Sequence, residues 1–153
     1  LFFEREMWYN VSVWKVKTRY NSIRSRSHSS ATRCSRCSSA VFTLFVREKL
    51  VTEHDCKSGR LHKLASDYVC AAAQAKMLEG LAPLLTDEEK EVARRCRNCH
   101  NPSHAKNAAL SDYKKATALE GVLGYLKLTE QTERLNELMR KCMEILDGGN
   151  GNE

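Results

Sequence analysis

Ala116-Thr-Ala-Leu-Glu-Gly-Val-Leu-Gly-Tyr-Leu126 is the stretch of sequence that decides the fold. It is apolar nearly all round at helical spacing, and a helix without a polar face is buried by its neighbours. We therefore expect a central helix that is capped by Ser111 and reaches about Leu128. Glu120 lies in its middle, where an ionised carboxylate must be paired in a salt bridge, solvated in a cleft or bound to a cation.

Helical patterns continue on both sides of this stretch. Gly121 and Gly124 lack side chains, so a second helix can approach the central helix closely there. Thr86-Asp-Glu-Glu89 has the form of a capping box. We expect further helices over Ala40–Val51, from a cap at Ser58 to near Gly80, over Thr86–Arg97 and over Thr129–Leu146, with a loop at 98–106. No strand pattern follows residue 46, so the sequence predicts an all-α helical bundle.

The first 39 residues differ from the rest of the 153-residue chain. They hold eight Lys/Arg, two Glu and nine Ser, and the Ser, Arg and Cys of Ser22–Ser39 alternate without a helical or strand period. The formal charge of +6 therefore belongs to this segment, because residues 40–153 hold 17 basic and 17 acidic side chains. We expect residues 1–39 to be unpatterned, 40–147 to form one domain and 148–153 to be a flexible tail.

A local basic cluster stands out within the neutral body. Seven cations fall between residues 90 and 115, with only Glu91 and Asp112 as acidic neighbours. They are Lys90, Arg94, Arg95, Arg97, Lys106, Lys114 and Lys115, with Asn98 and Asn107 as further hydrogen-bonding groups. Such a cluster suits an RNA duplex, which proteins contact mostly through phosphates and 2′-hydroxyls. A merely solvated helix face is the alternative.

The cysteines favour thiols over a metal or haem site. Seven Cys, an odd number, fit a reducing compartment such as the cytoplasm. The CxxC pairs Cys34/Cys37 and Cys96/Cys99 are separated by 58 residues, far more than compact zinc sites use. Cys96 to His100 fits the haem-attachment pattern, but so short a pattern arises by chance. No apolar run is long enough for a membrane span.

Seven ordered blocks of the chain resemble Mini-ribonuclease III, the short branch of the ribonuclease III family that lacks a separate double-stranded RNA-binding domain. These blocks are Ala40–Arg47, Leu61–Val69, Ala73–Lys76, Leu85–Glu89, Arg94–Asn98, Lys106–Asn107 and Tyr113–Leu126. The resemblance implies an all-α, homodimeric endoribonuclease that cuts double-stranded RNA with Mg²⁺ and matures the large-subunit (23S) ribosomal RNA precursor.

The resemblance also implies roles for particular residues. Glu120 matches the family's metal-binding, catalytic Glu. The family's basic RNA-contacting segment is matched by Arg94, Arg95, Arg97, Asn98, Lys106 and Asn107, and the cluster adds Lys114 and Lys115. For the dimer, we expect contributions from apolar residues of Ala40–Val51 and from the central helix around Gly121 and Gly124.

The match departs from the family at one essential position. In the family a Gly-Asp pair directly precedes the block that matches Ala40–Arg47, and its Asp is the second metal ligand. Here the pair is Ser38-Ser39. A hydroxyl is a poor substitute for a carboxylate on Mg²⁺. We therefore expect an impaired nuclease, or a non-catalytic RNA-binding pseudoenzyme of the same fold.

A hidden reading frame offers an origin for this difference. The codons of Ser22–Ser39 can be chosen so that, read one base earlier, they encode a different segment. That segment ends in Val-Gly-Asp and is followed by the same eight residues as Ala40–Arg47. The two copies would lie 22 bases apart, and 22 is not a multiple of three. We therefore expect residues 1–39 to be a frame-shifted or non-native leader, with a transit peptide and a real extension as alternatives. The gene sequence upstream of Ala40 is the test.

Overall fold

The computed structural model describes residues 29–99 and 109–149, with side chains from residue 39 to 99 and from 109 to 148. Six α-helices form this part of the chain, and no strand occurs in it. They are α1 (Ser29–Glu53), α2 (Ser58–Val69), α3 (Ala71–Leu81), α4 (Asp87–Arg97), α5 (Leu110–Leu128) and α6 (Thr132–Gly149), with a 3₁₀ turn at Ala82–Leu84. The predicted all-α fold is confirmed.

The central helix is α5, as its sequence indicates. Nine of its residues, from Ala116 to Leu126, are buried, and they point to every side of the helix. Helices α1, α3, α4 and α6 all pack against it. The largest fully buried side chains that surround it are Phe42 and Val46 of α1, Met77 and Leu81 of α3, and Leu138 and Met143 of α6. The domain is thus a bundle built around α5.

Several helix boundaries differ from those expected. Helix α1 begins at Ser29, so part of the segment expected to be unpatterned is helical. The helix expected from Ser58 to Gly80 is broken at Cys70, which is extended (φ −69°, ψ 154°). The apolar spacing continues across this break and hides it, yet the break redirects α3 so that Ala73, Ala75 and Met77 are buried. The expected caps were also wrong, because Lys57 and Ala109 precede α2 and α5 without a side-chain cap.

The last helix begins at Thr132 rather than at Thr129 because a tight turn ends α5. The N–H of Gln131 donates to the carbonyl of Leu126 at 3.0 Å, and the N–H of Glu130 donates to that of Lys127 at 3.2 Å. Glu130 has a φ of 58°, the left-handed conformation that this Schellman-type ending requires. Residues 129–131 therefore form a turn between α5 and α6.

The predicted capping box is confirmed, and it also anchors α6. Thr86 Oγ1 accepts a hydrogen bond from the Glu89 N–H at 3.2 Å, and Glu89 Oε2 accepts one from the Thr86 N–H at 2.8 Å. Arg134 of α6 donates to both Glu89 oxygens at 3.0 Å and to the carbonyl of Leu84 at 2.7 Å. Burial acts to raise the pKa of Glu89, but the hydrogen bonds from Arg134 and Thr86 outweigh it and lower the pKa.

Replacing Glu89 with Gln should cost about 1–2 kcal/mol of unfolding free energy, because Arg134 loses an anionic partner next to the core. The ionised Glu89 stabilises the fold at pH values above its unfolded-state pKa, and this contribution is lost as the pH falls towards the lowered folded-state pKa. The difference between the unaltered chain and Glu89→Gln should therefore shrink between about pH 6 and pH 3. Urea unfolding at several pH values measures it, and a constant difference would contradict it.

A second polar cluster closes the bundle near the end of α6. The Tyr68 hydroxyl donates to Asp147 Oδ1 at 2.5 Å, and Lys49 Nζ lies 3.2 Å from Asp147 Oδ2. Burial, followed by the hydrogen bond to Asp147, raises the pKa of Tyr68 to about 12. Since these three residues belong to α2, α6 and α1, the cluster fixes the end of α6 on the first two helices.

Candidate nucleic-acid interface and catalytic centre

The last turn of α4 carries the first part of the predicted RNA-binding surface. Arg94, Arg95 and Arg97 are exposed there, next to the negative end of the helix dipole, where cations are favoured. Asn98 ends the helix, and its backbone N–H donates to the carbonyl of Arg94 at 3.2 Å. The structure therefore brings these four predicted residues together.

One carboxylate holds two of these arginines. Arg94 donates from Nε to Glu91 Oε2 at 2.7 Å and from Nη2 to Glu91 Oε1 at 2.8 Å. Arg95 donates from Nε to Glu91 Oε1 at 2.7 Å. Hydrogen bonds from the two guanidiniums lower the pKa of Glu91 to about 2. Glu91 is therefore a fixed anion at neutral pH, and it partly offsets the charge of the basic cluster.

The start of α5 carries the second part of the surface. Lys114 is exposed, whereas Lys115 Nζ lies 2.5 Å from Oε1 of Glu79 on α3. The hydrogen bond to Glu79 raises the pKa of Lys115, against a smaller opposing effect from the positive charge of Arg97. Arg97 and Lys115 are thus electrostatic neighbours, and the basic end of α4 lies beside the beginning of α5.

Helices α4 and α5 are held together by a close approach at Gly121. A Cβ atom added to Gly121 would overlap Sγ of Cys96 and lie 2.7 Å from its Cβ. Cys96 is buried at this contact, between two exposed arginines of α4. The expected close approach of a second helix is therefore confirmed at Gly121, and it fixes the arginine-bearing turn against the helix that carries Glu120.

Glu120 differs from its neighbours on α5 because it is partly exposed. Within the otherwise buried stretch Ala116–Leu126, the partly exposed residues are Thr117 and Glu120, which lie three residues apart on one side of the helix. This exposure gives the carboxylate access to solvent from the core helix. Glu120 therefore lies at the edge of the core rather than in its dry interior.

Ser39 lies one turn before the buried side of α1. It is exposed and precedes Phe42, Val46 and Leu50 at intervals of three, seven and eleven residues, the spacing of one helix face. That face is part of the core, and α1 packs along α5. Ser39 and Glu120 are therefore carried by two helices in direct contact.

Among the described residues, Glu120 has no cluster of further metal-binding side chains around it. Within residues 39–99 and 109–148, no group of three or more His, Cys, Asp or Glu side chains is arranged to hold a metal ion. Glu120 supplies a carboxylate, but position 39 supplies only a hydroxyl, and Mg²⁺ prefers hard anionic oxygens. In the same part of the chain no disulfide forms and no helix is long and apolar enough to cross a membrane. The side chains of Cys34 and Cys37 and the predicted contacts Lys106 and Asn107 lie outside the described residues.

Two acidic residues pair with cations of this surface, Glu91 with Arg94 and Arg95, and Glu79 with Lys115. Glu91 stands three and four residues before Arg94 and Arg95, a spacing that predicts helical ion pairs. Its pairing was therefore visible in the sequence. Glu79 lies 36 residues before Lys115, so only the packing of α3 on α5 reveals that pair.

Comparison with known proteins assigns the fold to a family. The Ribonuclease III domain model matches residues 39–131, from Ser39 to the turn after α5. The chain belongs to the ribonuclease III family. Its relatives include Mini-ribonuclease 3 of Brevibacillus brevis, 41% identical over 109 residues, which cover 71% of this chain and 81% of the relative. Mini-ribonuclease 3 of Enterococcus faecalis is 38% identical over 107 residues, covering 69% and 81%.

A solved structure supports the fold independently. The crystal structure of a Fusobacterium nucleatum protein superposes with a TM-score of 0.69 at 20% sequence identity, covering 74% of this chain and 91% of that one. The resemblance to Mini-ribonuclease III is thereby confirmed by sequence relatives and the fold by structure. Ribonuclease III proteins are endoribonucleases, hydrolases that act on double-stranded RNA, and the chain is a member of this enzyme family.

One expectation about the dimer was wrong. Gly121 and Gly124 are buried within a single chain, because α1, α3, α4 and α6 enclose α5, so the central helix has no apolar surface to offer a partner there. Helix α1 does expose apolar side chains, since Leu44 is 58% and Val51 61% accessible.

Proposed function

We propose that this chain is a double-stranded RNA endoribonuclease of the Mini-ribonuclease 3 type whose magnesium-dependent activity is impaired by Ser39. The family match supports the reaction class. The proposal for RNA binding rests on the basic surface formed jointly by α4 and by α5, the helix that carries Glu120. In this proposal Glu120 is the metal-binding carboxylate and Arg94, Arg95, Arg97, Asn98, Lys114 and Lys115 face the duplex, with Lys106 and Asn107 continuing the surface.

The absence of a carboxylate at position 39 favours a second candidate function as well. An RNA-binding pseudoenzyme would use the same basic surface without cutting. Binding of duplex RNA without cut product in Mg²⁺ supports this reading for the chain as it stands. Cut product that requires Mg²⁺ supports the enzyme.

The substrate and setting follow from the same proposal. We place the chain in the cytoplasm, acting on the 23S ribosomal RNA precursor as a homodimer. Two metal-binding centres facing one groove are the economical way to cut both strands of a duplex, and a two-fold axis supplies them. Leu44 and Val51 of α1 are the exposed apolar residues best suited to such a contact.

Arg97→Ala should weaken duplex RNA binding and lower the slope of log affinity against log salt concentration by about 1, because one phosphate contact is lost. Arg97 is exposed at the point where α4 meets α5. Arg140→Ala is the matched control, since it removes the same charge from an exposed position on α6. Gel shifts with an RNA duplex in EDTA at several salt concentrations measure both variants. Equal losses for the two variants would mean that net charge, rather than this surface, governs binding.

A further inference from the structure

Glu91 bridges two arginines of the exposed basic surface through hydrogen bonds. Its carboxylate accepts three hydrogen bonds at 2.7–2.8 Å, two from Arg94 and one from Arg95. The two arginine side chains remain 61% and 45% accessible, so they are oriented without being covered. A guanidinium has five N–H donors, and the bridge leaves most of them for another acceptor.

Glu91 has two opposite effects on an RNA ligand. Its negative charge repels phosphate, which weakens binding. Its hydrogen bonds also order two long side chains in the free protein. This strengthens binding, because less side-chain conformational entropy is lost when RNA binds. Screening by salt weakens the repulsion between exposed charges, whereas the ordering persists as long as the hydrogen bonds do.

We propose that Glu91 is a positioning residue that holds Arg94 and Arg95 ready for the phosphates of duplex RNA, and that this gain outweighs its repulsion. The inference rests on the proposed function, because it assumes that these two arginines contact RNA. Glu91 itself touches no substrate in this account and acts only through the two guanidiniums. Its pairing is secure at neutral pH, since the same hydrogen bonds lower its pKa to about 2.

A pair of Glu→Gln variants separates the two effects. Glu91→Gln removes the charge and weakens the bridge, while Glu88→Gln removes the same charge from the same helix. Glu88 is exposed in the first turn of α4. Helical ion pairs form between residues three or four apart, and the residues at those distances after Glu88 are Glu91 and Val92, which are not cations. Both full-length variants are titrated with an RNA duplex of about 20 base pairs in EDTA, at several salt concentrations, with thermal unfolding as a check on folding.

The proposal predicts changes of opposite sign. Glu88→Gln should bind the duplex about twofold more tightly at low salt, because one repulsive charge is gone. Glu91→Gln should bind about fivefold more weakly, because two arginines must be ordered on binding. Its salt slope should also be smaller, because arginines that are not held in place make fewer phosphate contacts. Since exposed helical ion pairs contribute little to stability, both variants should unfold close to the unaltered chain. Tighter binding by Glu91→Gln, as by Glu88→Gln, would overturn the proposal.

Two further variants complete the test. Glu91→Asp restores a carboxylate that can still reach Arg94, and should recover part of the lost affinity and salt slope. A loss of folded protein alone would lower the affinity without changing the salt slope. Arg94→Ala and Arg95→Ala identify where a failure lies. If both arginine variants bind RNA as the unaltered chain does, the proposed RNA surface is wrong, and so is the positioning role. If they bind weakly while Glu91→Gln binds tightly, only the positioning role is wrong.

Discussion

Ser39→Asp is expected to raise Mg²⁺-dependent cleavage of duplex RNA by about 100-fold or more, since a metal centre contributes several kcal/mol to such a reaction. Position 39 precedes the buried Phe42 by three residues, and α1 packs along the helix that carries Glu120. In the proposed site an Asp there would supply a second anionic oxygen ligand beside Glu120's carboxylate, the ligand type that Mg²⁺ prefers. Denaturing gels of an end-labelled duplex, with and without Mg²⁺, measure the gain.

The controls for this variant test charge and pairing separately. Ser39→Asn has the shape of the Asp variant without its charge and should gain nothing. Adding Glu120→Gln to Ser39→Asp should abolish the gain, because one carboxylate again stands alone. If Ser39→Asp gains nothing while its RNA binding is intact, the residues upstream of Ser39 are also needed. Cleavage by the unaltered chain at the rate of the Asp variant would contradict the proposed impairment.

The sequence predicts the centre of this fold better than its connections. The stretch of α5 that is apolar nearly all round is stable only when neighbouring helices bury it, so its central place follows from the pattern alone. The breaks at Cys70 and at 129–131 depend instead on how neighbouring helices are redirected. Glu130 adopts a left-handed conformation at a position where Gly is usual, so no residue type in the sequence predicts the turn.

In the candidate site, too, the sequence predicts contacts within one helix but not contacts between helices. The arginines of α4 and their Glu91 partner lie within one helical turn of each other, and helix geometry links them from the sequence. The pairing of Lys115 with Glu79 and the packing of Cys96 against Gly121 join residues far apart in the chain. Such contacts are set by the packing of whole helices, which the spacing of residues within one helix does not encode.

Gly121→Ala is expected to destabilise the domain by about 3 kcal/mol, at the upper end of the cost of overpacking a core. The new methyl group would overlap Sγ of Cys96 and stand 2.7 Å from its Cβ. Both residues are buried, and Cys96 is fixed on α4, so the clash can be relieved only by moving α4 away from α5. Chemical unfolding of the variant measures the loss of stability. Duplex RNA binding should fall with it, because the same movement displaces Arg95 and Arg97.

A compensating change in Cys96 distinguishes this contact from a general intolerance of Ala on α5. Cys96→Gly removes both atoms that the methyl group would meet. It costs about 1 kcal/mol for Gly within a helix, and the loss of a buried side chain adds to this. Combined with Gly121→Ala, it should therefore cost less than the sum of the two single changes, since the clash is absent from the pair. Gly148→Ala is the matched control, because a Cβ atom there meets nothing within 4 Å. If the two core changes are simply additive, the approach of α4 to α5 is not what requires glycine at position 121.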